Sequence, residues 1–299
     1  MDEQPLADGI AAQTRDRARC MELRLVLDAA GIPSEMAFEG GWWLLLVRGD
    51  DLALARAELY AYRAENPSAA PLPPPAVPRF GGGPAGVAAY ALLLIAVAVL
   101  AGRYAFGADW FSAGRLQAGR FLAGDWWRPV TALTLHGDAG HLSANLVFGA
   151  VFGTLAALAV GGGVAWLTIL LGGALGNALN ALVQAPSHAA VGASTAVFAA
   201  LGLLVMHAVR YRHALPATPL RRWSPLVGGI VLLAYTGTGG ERTDVVAHLT
   251  GFIAGLALGV PLMRVPAAWL RRRALQSGAA GLALGLIIAC WAGALLSSA

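Results

Sequence analysis

Charge is what this sequence has least of. Asp, Glu, Lys and Arg together make up 13% of its 299 residues, about half of the roughly 25% usual in soluble domains. Apolar residues reach 57% and the mean hydropathy is +0.62. The deficit is concentrated in long charge-free stretches, which excludes a soluble globular protein and a disordered chain. Lysine is absent, all 21 basic residues being arginine, a trait of genomic composition rather than of chemistry. Only two cysteines occur, Cys20 and Cys290, in regions of different character, which excludes a disulfide scaffold. The polar N-terminus has no basic region followed by an apolar run, so no cleaved signal peptide is expected. What is left is a polytopic membrane protein.

The charge that exists is unevenly divided. Residues 1–79 hold eight Arg against twelve Asp and Glu, a balance of −4, and residues 80–299 hold thirteen against five, a balance of +8. A pI near 9.5 would suit a nucleic-acid binder. Basic loops of a membrane protein give the same number through the positive-inside bias, so no nucleic-acid partner is implied.

Residues 1–66 read as a small soluble α+β domain. A helix over 15–30 is closed by Gly31 and Pro33. Strands over 34–38 and 42–48 are joined by Gly40-Gly41, and a second helix, capped by Asp50-Asp51, runs to about residue 65. The resulting αββα unit is marginal in size for an independent core. Seven prolines between residues 66 and 84 make 67–84 a semi-rigid linker.

A spanning helix needs about 20 apolar residues. Seven segments are candidates: 85–106, 139–160, 163–183, 194–212, 224–237, 244–263 and 276–297, the fifth being the weakest. Arg79, the arginines at 210, 212, 221 and 222, and those at 264 and 271–273 mark one face as cytoplasmic. The N-terminal domain is then cytoplasmic, and an odd number of spans puts the C-terminus outside the inner membrane. Residues 107–138, long and rich in aromatics, are expected to fold onto the outer bilayer interface.

Polar side chains inside spans are costly and point to function. His141 and Asn145 lie four apart on one helix face. Ser194 opens a segment too short to cross about 30 Å of hydrocarbon, entered through Gly192. Its first-turn N–H groups lack helical partners and suit a developing anion. His248 precedes Gly251, Gly255 and Gly259, whose four-residue spacing allows close helix approach. If that face meets the Ser194 helix, Ser194 and His248 form a nucleophile–base pair, with His141 and Asn145 as oxyanion donors. Taken singly, an intramembrane Ser or His is more often a packing residue. Asn177 and Asn180 are read as packing residues, and His188 has no evident partner. His136, Asp138 and His141 cluster, but HExxH is absent and no carboxylate lies inside a span, which argues against a catalytic metal or other cofactor.

These residues also carry a likeness. Trp127-Arg128 in the long first loop, His136, His141 and Asn145, Gly192-Ala193-Ser194, and Ala247-His248 followed by Gly251 and Gly255 occur together and in order. In them, residues 85–263 resemble the rhomboid intramembrane serine proteases, and residues 1–66 look like the small cytoplasmic domain of some bacterial members. The resemblance implies an all-α, six-helix protease core, residues 264–299 adding a basic linker and a seventh helix. It implies a dyad without a carboxylate, Ser194 as nucleophile and His248 as base and then acid. His141, Asn145 and the Ser194 N–H would form the oxyanion hole. Phe198 would stack on His248, Gly192 would allow the turn before the serine, His136 would support the site, and Trp127 and Arg128 would anchor the first loop. Substrates would be transmembrane helices of other proteins, met within the lipid bilayer. Thr195 stands where the family commonly has Gly, and is expected to be a tolerated variant, the alternative being a narrowed substrate pocket. The rival expectation is a rhomboid-like protein that binds membrane-protein partners without cleaving them. A transporter would show paired inverted repeats, and none is evident.

Overall fold

The computed structural model describes residues 9–66, 77–211, 227–228 and 244–297. The chain divides into two units, Met1–Pro73 and Pro74–Ala299. In the first, β1 (Ile10–Thr14), α1 (Arg17–Ala29), β2 (Ser34–Glu39), β3 (Trp42–Val47) and α2 (Leu52–Glu65) form a sheet of order β1-β3-β2 with two helices. The expected αββα unit thus gains a strand, β1, which pairs antiparallel with β3. Ile-Ala-Ala-Gln-Thr has little β-branched character, and its pairing rather than its propensity makes it a strand. The β2–β3 hairpin turns on Gly40 and Gly41, both with positive φ (56° and 85°), as a two-residue primed turn requires. Asp16 caps α1 by accepting from the Ala18 N–H at 2.8 Å. Asp51 makes no such bond at α2, a correction to the expected Asp50-Asp51 cap. Leu23, Leu27, Leu45 and Leu59 close a small core.

In the second unit five helices are long and apolar enough to cross a membrane. They are α3 (Gly83–Gly102), α7 (Ala139–Val160), α8 (Gly162–Val183), α10 (Val245–Leu262) and α12 (Arg273–Leu296). A sixth apolar helix, α9 (Ser194–Arg210), is shorter. The expected segment 224–237 lies outside the described residues, apart from two helical positions at 227–228. The fold is that of an all-α multi-pass membrane protein with a small α+β unit.

The region between α3 and α7 folds into the short helices α4 (Trp110–Gly114), α5 (Ala118–Leu122) and α6 (Arg128–Thr131), with a two-residue strand β4 (Leu116–Gln117). β4 pairs with β5 (Ala189–Ala190) in the loop between α8 and α9. A four-residue helix, α11 (Ala267–Leu270), precedes α12.

The described carboxylates of this unit, Asp109, Asp125, Asp138 and Asp244, all have structural partners. Asp109, Asp138 and Asp244 cap α4, α7 and α10 through first-turn N–H groups, as short acidic side chains do. Asp125 accepts from the Nε of Arg128 at 2.7 Å and of Arg120 at 3.0 Å.

Candidate functional site

Small residues bring α9 and α10 together. A Cβ on Gly251 would lie 2.3 Å from the Thr195 carbonyl oxygen, and one on Gly255 2.0 Å from that of Ala199. From α9, a Cβ on Gly202 would lie 2.3 Å from the Phe252 oxygen. Only glycine leaves room for backbones this close.

That approach carries His248, one turn before Gly251, onto the start of α9. His248 Nε2 lies 2.9 Å from Ser194 Oγ. The imidazole is buried and stacks on the Phe198 ring, with centroids 4.5 Å apart and planes 20° apart. Phe198 is one turn after Ser194, so a single helix presents both the hydroxyl and the surface that orients the ring. His248 Nδ1 is buried with no hydrogen-bond partner among the described residues.

Ser194 is the first residue of α9, and its N–H is among those the helix leaves unpaired. The loop before it is fixed on several sides. Gly192 adopts φ +126° and donates its N–H to the Ala132 carbonyl at 2.9 Å. A Cβ there would lie 2.6 Å from His141 Nε2 and 3.6 Å from Asn145 Nδ2, so both side chains of α7 close over this glycine. Ala193 N–H donates to His136 Nε2 at 3.4 Å. Burial, and then the neighbouring His141, hold the His136 pKa at about 4, which keeps the ring a neutral acceptor. The β4–β5 pairing holds the same loop from the other side.

Trp127 and Arg128 are buried and bind the first loop internally. Trp127 Nε1 donates to the Ala113 carbonyl at 3.2 Å. Arg128 donates to Asp125, to the Ser112 carbonyl at 3.1 Å and to the Arg115 carbonyl at 2.7 Å. Thr195 is buried, and its Cγ2 points at two glycines, 2.8 Å from a Cβ built on Gly176 and 2.9 Å from one on Gly251. Its methyl thus fills a notch between α8 and α10.

One cluster was invisible in sequence. His188 does have a partner: its Nε2 lies 2.8 Å from Asp244 Oδ2. Asn180 Nδ2 donates to the same oxygen at 2.6 Å, while Asp244 Oδ1 caps α10 through the Ala247 N–H at 2.9 Å. Asn180 is therefore more than a packing residue. The end of α8, the loop leading to Ser194 and the start of the His248 helix meet on one carboxylate.

The arrangement joins a hydroxyl to a buried imidazole beside unpaired N–H groups and two polar side chains. The family model described as Rhomboid domain matches residues 123–265. Rhomboid-like protein 11, chloroplastic, of Arabidopsis thaliana is 31% identical over 153 residues, 48% of this chain and 55% of that protein. Rhomboid-like protease 3 of Toxoplasma gondii is 34% identical over 132 residues, 44% of this chain and 50% of that protein. The chain thus spans about half the length of the curated relatives it matches.

Proposed function

We propose that this chain, which is similar to the rhomboid family over residues 123–265, is an intramembrane serine endopeptidase that cuts transmembrane helices of other membrane proteins. The observation that carries the reading is the 2.9 Å approach of Ser194 Oγ to His248 Nε2. The Toxoplasma relative is named a protease, in agreement with this reading.

In the proposed reaction Ser194 Oγ attacks the scissile carbonyl carbon while His248 Nε2 takes the hydroxyl proton. The negative charge on the carbonyl oxygen is met by the Ser194 N–H, His141 and Asn145. The C–N bond then breaks, the leaving amine taking the proton from His248. Water, deprotonated by the same imidazole, hydrolyses the acyl-enzyme and restores Ser194. Phe198 orients the ring in place of a carboxylate. Gly192 gives the room the oxyanion donors need, and His136 holds the Ala193 N–H. The chemistry calls on no cofactor.

Substrates reach such a site from within the bilayer, as single-span or polytopic proteins unwound near a helix end. Residues 85–263 form the protease core in this reading, residues 1–66 a cytoplasmic domain, and 264–299 a linker and an added helix. The arginine clusters orient the chain, with its N-terminus cytoplasmic in an inner membrane and its C-terminus outside.

The test is cleavage of a single-span substrate in proteoliposomes. Ser194→Ala and His248→Ala should each lose about 10⁴-fold or more, and Asn145→Ala about 10²-fold in kcat. Cleavage by Ser194→Ala at the wild-type rate would overturn the mechanism. Binding of several substrates without cleavage by any form would favour the partner-binding alternative.

A further inference from the structure

A second feature of the membrane unit lies outside this chemistry. A cavity of about 990 Å³ runs between α3, α8 and α12, at the top of the roughly 300–1,000 Å³ range of small-molecule sites. Along α12 its wall extends from Arg273 to Ile287, about 21 Å at 1.5 Å per residue. Leu93, Leu94, Ile169, Leu170 and Leu284 line it. Gln276, in the same wall, is already bonded to the Val160 and Leu270 carbonyls and the Val164 N–H.

One end of the cavity is different. Arg79, just before α3, and Arg271 and Arg273, around the start of α12, line it from two separate segments. None of the three forms an ion pair with a described carboxylate. Arg271 lies over the Phe80 ring at 5.3 Å, and Phe80 itself lines the cavity. The other end reaches Thr134, Ala193 and Ala196, so the cavity touches both neighbours of the Ser194–Thr195 pair.

An elongated apolar slot closed at one end by three arginines matches an amphiphile with an anionic head. We infer that it binds an anionic phospholipid, one acyl chain lying between α3, α8 and α12 and the phosphate held by Arg79, Arg271 and Arg273. A chain that leaves the bilayer for the slot exchanges one hydrocarbon surroundings for another, so the walls supply shape and no hydrophobic gain. Selectivity must then come from the head, and basic clefts between spanning helices are a recognised setting for it. Arg272 gives an internal control. It belongs to the same basic run but does not line the cavity, its guanidinium lying 5.0 Å from the Trp269 ring centre.

The experiment measures lipid retained by the purified full-length chain in detergent, by native mass spectrometry with equimolar dioleoyl phosphatidylglycerol and phosphatidylcholine. The wild type should retain phosphatidylglycerol preferentially. Arg273→Gln should weaken that preference about fivefold, the equivalent of one interfacial charge, and Arg272→Gln should leave it unchanged. Ala280→Trp, which fills the slot and keeps every arginine, should abolish retention. Four results would each overturn the inference: no headgroup preference in the wild type; equal effects of Arg272→Gln and Arg273→Gln; full retention by Ala280→Trp; and displacement of the lipid by glycerol phosphate at equal concentration. The second and third would mean attraction to surface charge alone, and the fourth a site for free phosphate. None of these readings depends on proteolysis.

Discussion

Arg128 is 2% exposed, and its position is explained by what its guanidinium does. The planar fork reaches one carboxylate and two backbone carbonyls at once, a geometry a lysine ammonium cannot reproduce. Arg128→Ala should lower stability by about 3 kcal/mol, because two carbonyls lose their donor and Asp125 is left with Arg120 alone. Arg128→Lys should recover less than half of this. Thermal unfolding in detergent reads both, and full rescue by Lys would reduce the role to charge alone. At the same scale, Ser194 and His248 were legible in sequence because each sits in a recognisable string of small residues. His188, Asn180 and Asp244 were not. The cluster joins positions 56 and 64 residues apart, and no spacing rule connects them. Thr195 was visible as a departure, but its methyl is turned into the Gly176–Gly251 notch, a direction only the packed helices define.

At the scale of elements, the distance between α9 and α10 decides whether the Ser–His pair exists. A methyl on Gly255 would collide with the Ala199 carbonyl oxygen, and the shared backbone gives it nowhere to go. Gly255→Ala should push α10 away and cut cleavage by about 10²-fold, the usual consequence of a displacement near 1 Å. The loss should fall on kcat, and an unchanged kcat would show that the helices tolerate separation. The start of α10 is held by the Asp244 clamp as well as by glycine. Asp244→Ala releases His188, Asn180 and the helix cap together, and should lower kcat about tenfold. Asp244→Asn, which keeps a capping oxygen, should lie between the two, as single-turnover rates would read. The long apolar helices were legible because hydropathy alone specifies them. Most of their ends were legible too, α7 matching 139–160 and α8 and α10 falling within one residue of 163–183 and 244–263; the departures are α3, which stops at Gly102 and not at 106, and α12, which begins at Arg273, inside what reads as a basic linker. β1 escaped detection for the complementary reason, its strand state being supplied by β3.

On the scale of the whole molecule, the two units carry titrating groups of opposite environment, so acid should act on them in sequence. In the second unit His136 is held at a pKa of about 4, by burial first and by His141 next. Unfolded, the same imidazole titrates near 6.5. Between those values the unfolded chain binds a proton that the folded chain refuses, so stability rises with pH across this window. The contribution is complete above about pH 6.5 and is lost as pH falls toward 4, an effect of about 3 kcal/mol. In the first unit Glu22 is held below its ordinary value, chiefly by the Tyr62 hydroxyl at 2.6 Å and then by Arg19. A depressed carboxylate contributes fully above its unfolded pKa of about 4.3 and loses that contribution only at lower pH. Exposed pairs of this kind are weak, so the second transition should be the smaller. Amide exchange protection followed from pH 7.5 to 3.5 should therefore fall first around residues 132–136 and 192–195, while α1 and α2 stay protected until below about pH 4.5. His136→Gln should flatten the first fall and leave the second, Glu22→Gln the reverse. Simultaneous loss of protection in both units would mean that the acid response belongs to the chain as one cooperative body and not to these two side chains.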